Sequence, residues 1–273
     1  MAEPADTPPI LIAKDHAAVS VFRPENLMRE ARRQKRLPAS RVPDICVLDP
    51  DGDLARHISQ NRDATEDLTW PCYHTTLHSF TLGGHRLGVI PYAVGAPFAV
   101  LVAEELFTAG CRLLISVTSA GQIVPAGPTP YFVLIDRALR DEGTSYHYLP
   151  PAPFSIAPAA VLEPVAAALC GAHPPVHRGA TWTTDAPFRE TETAIATARA
   201  AGVLAVEMEA AALYAFAAAR DRDVLCFAHV TNQMAQIEGD FEKGEADGAA
   251  DALRILELTA NAWRTLVSDR REA

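Results

Sequence analysis

The chain has 273 residues, of which 49% are hydrophobic, so it is long enough to bury a substantial core. Acidic residues outnumber basic residues by 34 to 24, and the formal net charge is −10. This balance argues against a nucleic-acid-binding surface, which needs clustered lysine and arginine to neutralise phosphates.

The amino-terminal sequence MAEPADTPPILIAKDH has no basic region followed by a long apolar stretch, so no signal peptide is expected. The longest apolar runs are rich in alanine and interrupted by charge, which predicts no membrane span. The five cysteines are widely spaced, form no CxxC pair and are interpreted as reduced core residues. We therefore expect a cytoplasmic protein.

Residues 1–40 are predicted to form an atypical amino-terminal arm, and residues 41–273 a single domain. In the arm, the segment ENLMREARRQKRL after Pro24 predicts a short basic helix that ends before Pro38. Its basic residues could form a phosphate-binding patch, although a solvated helix face is the simpler interpretation. They are Arg29, Arg32, Arg33, Lys35 and Arg36.

From residue 45 onwards, strand and helix patterns alternate without a linker. Strands are predicted at 45–48, 87–92, 111–119, 131–139, 176–184, 203–208 and 223–232. Helices are predicted from 99 to 110, 158 to 170, 190 to 201 and 209 to 220, with a long closing helix after 245. This alternation predicts an α/β fold, a single-domain three-layer α/β/α sandwich with a mixed, mostly parallel central sheet. The acidic stretch 237–248 is predicted to be a mobile loop.

Four polar clusters stand where predicted strands end, which is where ligands bind in sheets of this kind. They are VTSAG (117–121), TTDAPFRET (183–191), VEMEA (206–210) and HVTNQ (229–233). We expect the site to be built from these segments.

In VEMEA, Glu207 and Glu209 flank Met208 at a strand-to-helix junction. One interpretation is structural, because a carboxylate at a helix start is stabilised by the helix dipole. The other is functional, because a carboxylate can accept hydrogen bonds from both vicinal hydroxyls of a ribose. Met208 would then form an apolar floor under the sugar.

VEMEA followed by a small-residue helix resembles the ribose-binding signature of the uridine phosphorylase branch of the nucleoside phosphorylase superfamily. VGAPFAVLVAEELFTAGCRLLI, DRALRDEGTSYHYLPP and HRGATWTTDAPFRET are similar to other segments of that family, in the same order, over roughly residues 70–265. The resemblance implies that Glu209 is the main sugar ligand, with Met208 beneath it. It also implies a homodimer or a homohexamer built from dimers.

The resemblance implies an enzyme that cleaves the N-glycosidic bond of a ribonucleoside with inorganic phosphate, giving free base and ribose 1-phosphate. It implies no metal and no organic cofactor. The arginines of the family's phosphate pocket are not matched, and Thr118 and Ser119 remain as donors for phosphate or another nucleophile. VTSAGQI also resembles the nucleosidases of the superfamily, which use water. Hydrolysis and non-catalytic nucleoside binding are therefore the alternatives.

For the base, the sequence offers three candidates. Phe188 could stack on the ring, Arg189 could donate to a base carbonyl or neutralise the leaving group, and Asn232 could recognise a carbonyl edge. Each also has a structural interpretation: a core phenylalanine, a surface ion pair with Glu190 and a strand-end asparagine. Three further residues are weaker candidates for the site or its surroundings: Tyr146, His147 and Asp185.

Overall fold

The computed structural model describes residues 7–12, 14–61, 64–234 and 238–272. These residues form ten strands: β1 (Ile45–Asp49), β2 (Thr65–Glu66), β3 (His78–Leu82), β4 (His85–Pro91), β5 (Leu113–Gln122), β6 (Tyr131–Asp141), β7 (Phe154–Ile156), β8 (Val176–Thr184), β9 (Val203–Glu207) and β10 (Asp223–Asn232). They also form seven α-helices: α1 (Pro24–Lys35), α2 (Asp53–Asn61), α3 (Ala96–Thr108), α4 (Ala159–Ala168), α5 (Glu192–Ala200), α6 (Ala210–Arg220) and α7 (Ala249–Glu272).

The ten strands belong to one mixed sheet, in the order β10-β6-β8-β9-β5-β1-β4-β3-β2, with β7 on β6. Because β10 also pairs with β5, the strands β5, β10, β6, β8 and β9 close into a ring. Strand β5 is parallel to β1 and β10 but antiparallel to β9. The predicted α/β fold, one domain with a mixed sheet packed by helices, is confirmed.

The helix that follows VEMEA is held firmly on the sheet. All residues from Ala210 to Ala217 in α6 are buried, and their small side chains allow a close approach to the strands. The Tyr214 hydroxyl donates to the Ile135 carbonyl at 2.6 Å and accepts from the Cys226 amide at 3.0 Å. The amino-terminal end of α6, where Glu209 lies, is therefore fixed by contacts to two strands.

The predicted basic helix of the arm is present as α1, which packs on α3 and buries Met28 and Ala31. The boundary at residue 40 stays a prediction. Four elements were not predicted: α2, β2, β3 and β7. Among the described residues, no helix is both long and apolar enough to cross a membrane.

The acidic segment 237–248 begins at a residue outside the described part of the chain. From residue 238 onwards it is tied to neighbouring elements. Asp240 accepts the Gln233 amide at 2.9 Å, Lys243 pairs with Asp53, and Arg56 reaches Asp247 at 3.4 Å. These contacts join the end of β10 to the loop that follows β1.

Candidate functional site

The carboxyl-terminal ends of β5, β9 and β10 meet around Gly121. Gly121 pairs with Val206 of β9 on one side and with Asn232 of β10 on the other. A side chain at this position would collide with the Met234 sulfur, since a Cβ there would lie 2.6 Å from it. The sheet thus brings three of the four predicted clusters, VTSAG, VEMEA and HVTNQ, to one place.

Glu207 is buried and its carboxylate is fully engaged by the protein. One oxygen accepts the hydroxyls of Thr181 and Thr183, and the other accepts the amides of Glu209 and Ala210 at 2.7 Å each. These amides lie at the start of α6, where backbone N–H groups have no acceptor within the helix. The geometry therefore favours the structural interpretation of Glu207, and its predicted contact with ribose has no support from these bonds.

Glu209 lies two residues further on, with 1% of its surface exposed, and its surroundings are different. Its Oε1 accepts the Gly95 amide at 2.7 Å, while its Oε2 has no hydrogen-bond partner among the described residues. Gly95 has a φ of +86°, which suits glycine, and it caps α3. A buried carboxylate oxygen without a donor is costly, so it indicates a place where a ligand hydroxyl would bind.

Burial and the adjacent charge of Glu207 raise the pKa of Glu209 to about 8. The Gly95 amide and the nearby Thr118 hydroxyl lower this pKa, but their effect is smaller. Thr118 therefore lies beside Glu209, and a common ligand site for the two residues stays a prediction. Met208, between the two glutamates, is partly exposed, which is compatible with an apolar floor beside the carboxylate.

The nucleophile side of the site contains a residue that the sequence analysis missed. Asp51, in the loop after β1, accepts the Ser119 amide with one oxygen and the Ser119 hydroxyl with the other, both at 3.0 Å. Its charge also contributes to raising the pKa of Glu209. The available signal was the segment ICVLDPDGD, in which a buried strand runs directly into three aspartates.

The other two aspartates of this loop have separate partners. Asp49 is buried and accepts the Ala55 amide of α2 at 2.8 Å. Burial, together with the charges of Asp51 and Asp53, raises its pKa to about 7. Asp53 pairs with Lys243 and Arg56. Asp53 thus has two ion pairs, whereas Asp49 and Asp51 have none among the described residues.

The predicted base-binding residues have different surroundings. The Asn232 side chain makes local contacts: its Oδ1 accepts the Met234 amide at 2.9 Å and its Nδ2 donates to the Thr231 hydroxyl at 3.1 Å. Phe188 is 99% exposed and Arg189 is also exposed, both on a 3-10 turn after β8. The Arg189 side chain makes no hydrogen bond or ion pair among the described residues, and a cleft that joins Phe188 to Glu209 and Thr118 stays a prediction.

The weaker candidates also have local partners. Asp185 accepts the Gly143 amide at 2.8 Å, the Tyr146 hydroxyl donates to the Arg140 carbonyl, and His147 lies 3.0 Å from the Lys14 amine. Burial is the main cause that lowers the pKa of His147. These contacts account for the three side chains without a ligand.

Two basic side chains of helix α1 contact residues other than Thr118 and Ser119. Arg33 pairs with Glu30, and Lys35 donates to the Cys72 carbonyl at 2.6 Å. Within the described ranges, no hydrogen bond or ion pair joins α1 to Thr118 or Ser119. No group of three or more histidine, cysteine, aspartate or glutamate side chains arranged for a metal occurs in the same ranges.

The chain was compared with known proteins. The family model described as the phosphorylase superfamily matches residues 44–260, which include every segment of the site described above. A search of curated proteins finds no match. Since the matched region covers most of the sequence, the chain belongs to the phosphorylase superfamily.

Proposed function

We propose that this protein hydrolyses the N-glycosidic bond of a ribonucleoside and releases ribose and the free base. Membership of the phosphorylase superfamily suggests cleavage of that bond. The observation that carries the choice of water is the bidentate contact of Asp51 with the amide and hydroxyl of Ser119. The sequence resemblance alone favours phosphate as the nucleophile. The position of Asp51 is the reason why we propose water instead.

Glu209 would hold the sugar. Its Oε2 has no donor among the described residues and its Oε1 has one, so the carboxylate can accept both the 2′ and 3′ hydroxyls of ribose. Its rigid position at the start of α6 lowers the entropic cost of orienting the sugar. Partly exposed Met208 would lie beside the ring.

The Asp51 carboxylate would take the place that phosphate has in a phosphorylase, and it would activate water as the nucleophile. Phosphate needs donors such as the Ser119 amide and hydroxyl, but here an aspartate already accepts both. A phosphate dianion beside Asp51 would also experience like-charge repulsion without a described arginine to offset it. A carboxylate can instead accept a proton from water as the water attacks C1′, and it stabilises the positive charge that develops on the sugar.

The test is a panel of ribonucleosides incubated with purified protein, with and without inorganic phosphate. We expect release of base at the same rate in both conditions, with ribose rather than ribose 1-phosphate as the sugar product. Strict dependence on phosphate would overturn the hydrolytic assignment. Recovery of intact nucleoside after clear thermal stabilisation would instead indicate a binding protein without catalysis.

Asp51→Asn tests the role of the carboxylate within this reaction. We expect kcat to fall by about 100-fold or more, because the amide cannot accept the proton of water. Asp53→Asn, in the same loop but without a contact to Ser119, is the matched control and should change kcat by only a few fold. Equal effects of the two variants would remove Asp51 from the mechanism.

We also propose that the protein is a homo-oligomer, either a dimer or a hexamer built from dimers. Several large apolar side chains are exposed, namely Tyr92, Val94 and Phe188. A second copy of the chain would cover such surface. Light scattering with size-exclusion chromatography tests this, and a monomer at micromolar concentration would contradict it.

A further inference from the structure

We propose that the chain has a second ligand site, which binds an uncharged planar heteroaromatic molecule through a ring N–H donor. The site is a cavity of about 430 Å³ between the amino-terminal arm and helix α3. This volume is typical of pockets that hold small molecules. None of the described residues that line the cavity belongs to the proposed hydrolase site, so the two proposals are independent.

Two walls of the cavity come from segments that are held against each other. Phe22 and Arg23, at the end of the arm, lie on one side, and Leu101 and Glu105 of α3 lie on the other. Helix α1 begins directly after Arg23 and packs on α3, which holds the two walls in place. Tyr148 also lines the cavity. The cavity is therefore formed by elements of one chain.

Glu105 supplies the group that indicates a ligand. It is 3% exposed, it lines the cavity, and its Oε2 has no hydrogen-bond partner among the described residues. Burial raises the pKa of this carboxyl, and the neighbouring Cys72 thiol, His74 and Lys35 lower it by less. The Lys35 amine donates to the Cys72 carbonyl. A buried carboxyl oxygen without a donor is costly, so a ligand N–H that reaches it would be stabilising.

The preceding residue, Glu104, lines the same cavity but is already engaged by the protein. Its Oε1 accepts the Tyr148 hydroxyl at 3.0 Å and the Arg220 Nε at 3.2 Å. A ligand would have to displace these bonds in order to use that oxygen. Glu105 is therefore the acceptor that a ligand in the cavity would use.

The charges that line the cavity balance, which favours an uncharged ligand. Three acidic and three basic side chains line it, namely Glu25, Glu104, Glu105, Arg23, Arg220 and Arg222. Arg220 is paired with Glu104. An anionic ligand would be repelled by Glu25 and Glu105, and a cationic ligand by Arg23 and Arg222. An uncharged molecule avoids both costs and can still donate an N–H.

The rings and guanidinium groups around the cavity favour a flat ligand. Phe22, Phe107 and Tyr148 line it, and Phe22 is 71% exposed. The Arg222 guanidinium lies 5.4 Å from the centre of the Phe107 ring, and the Arg220 guanidinium lies 5.7 Å from that of Tyr148. The face of an aromatic ligand packs well on rings and guanidinium planes. Its N–H lies in the ring plane and remains available for the Glu105 carboxyl.

The test compares indole, which has one ring N–H, with 1-methylindole, which has none. Binding of both molecules is measured by isothermal titration calorimetry with wild-type protein, with Glu105→Leu and with Glu105→Gln. We expect the wild type to bind indole at least about 10-fold more tightly than 1-methylindole. The preference should disappear in Glu105→Leu. It should be partly retained in Glu105→Gln, which keeps an acceptor oxygen.

Two further variants control for the position of the site. Glu104→Gln changes the adjacent residue on α3, and Glu209→Gln changes the proposed sugar site. Both should keep the preference for indole within a few fold of the wild-type value. Loss of the preference in Glu209→Gln would place indole in the sugar site and overturn the proposal of a second site.

Leu101→Trp tests the cavity without changing Glu105, and it decides the matter if Glu105→Leu does not fold. Leu101 is 39% exposed, so a larger side chain at this position fills the cavity without disturbing the core. We expect indole to bind this variant at least about 10-fold more weakly than the wild type. Unchanged binding in the variant, equal affinity of the wild type for indole and 1-methylindole, or no binding of indole at millimolar concentration would each overturn the proposal.

Discussion

Glu207 and Glu209 are two residues apart in one strand-to-helix junction, yet their carboxylates have opposite surroundings. Glu207 accepts four hydrogen bonds from the protein, two from threonine hydroxyls and two from backbone amides. Glu209 accepts one, from Gly95, and leaves an oxygen without a donor. Both residues are glutamates, so the difference in their hydrogen bonding comes entirely from the groups that the fold places around them.

This comparison separates stability from function in the signature VEMEA. A carboxylate whose acceptors are all satisfied contributes to the folded state, and a ligand would have to displace existing bonds to reach it. A carboxylate with unused acceptors costs stability until a ligand supplies donors. Glu207 belongs to the first kind and Glu209 to the second.

Glu207→Ala should give the largest effect on stability. The substitution leaves two buried amides and two buried hydroxyls without their acceptor, and it opens a cavity next to α6. We expect the free energy of unfolding to fall by about 3–5 kcal/mol in urea denaturation. Glu207→Gln is the matched control, since it retains one acceptor oxygen and should lose less. A loss below about 1 kcal/mol for Glu207→Ala would mean that the four bonds are not stabilising.

Glu209→Gln should give the largest effect on activity and a small effect on stability. The amide cannot accept from both ribose hydroxyls, so we expect kcat/KM to fall by about 100-fold, close to the cost of a charged hydrogen bond. The free energy of unfolding should stay within about 1 kcal/mol of wild type, because the amide replaces a buried carboxyl that holds its proton near neutral pH and can still accept the Gly95 amide. Normal kinetics in a folded variant would contradict the ribose assignment.

The stability of the wild-type protein should fall as pH rises towards 8. The pKa of Glu209 is raised in the folded state from its usual 4.5 to about 8, and that of Asp49 from 3.8 to about 7. A raised pKa of a carboxyl stabilises the folded state at low pH, and this contribution is lost as pH increases through the folded-state value. We expect a slope of about 1 kcal/mol per pH unit for each group, measured by urea denaturation from pH 5 to 8.

Glu209→Gln is the control for this pH dependence. The variant should show a flatter profile between pH 5 and 8, because one of the two groups has been removed. If the variant and the wild type have the same slope, the carboxyl at position 209 does not hold a proton in the folded protein.

The smallest effect is expected for Arg189→Ala, on the exposed turn after β8. We predict a change in KM of only a few fold and a weaker discrimination between bases, measured as the ratio of kcat/KM for two nucleosides. The melting temperature should not change, because the side chain makes no described ion pair. An unchanged base preference would identify Arg189 as a surface residue without a role in the site.

The sequence predicted seven of the ten described strands and drew attention to the junction that contains Glu209. Continuous apolar runs such as DVLCFAHVTN predict strands buried on both faces, and β10 spans Asp223–Asn232 as expected. The junction VEMEA pointed to Glu209 because strand, carboxylate and small-residue helix follow one another directly. These signals are local, so they can be recognised without knowledge of tertiary contacts.

The remaining parts depend on contacts between distant segments. Asp51 was missed because its partner, Ser119, is 68 residues away in sequence, and a DPDGD segment alone is typical of a turn. The distinction between Glu207 and Glu209 depends on Thr181, Thr183 and Gly95, which lie on other elements. Likewise, the exposure of Phe188 is set by the path of its turn and not by its neighbours in sequence.

The central claim is that Glu209 binds the hydroxyl pair of a ribose, and a double-mutant cycle tests it most directly. Affinities of a ribonucleoside and of its 2′-deoxy analogue are measured by calorimetry in the slowly reacting Asp51→Asn protein and in the double variant Asp51→Asn/Glu209→Gln. We predict that removing the 2′ hydroxyl weakens binding at least about 10-fold when Glu209 is present and has almost no effect when glutamine replaces it. An equal loss in both proteins would show that the hydroxyl binds elsewhere and would contradict the account.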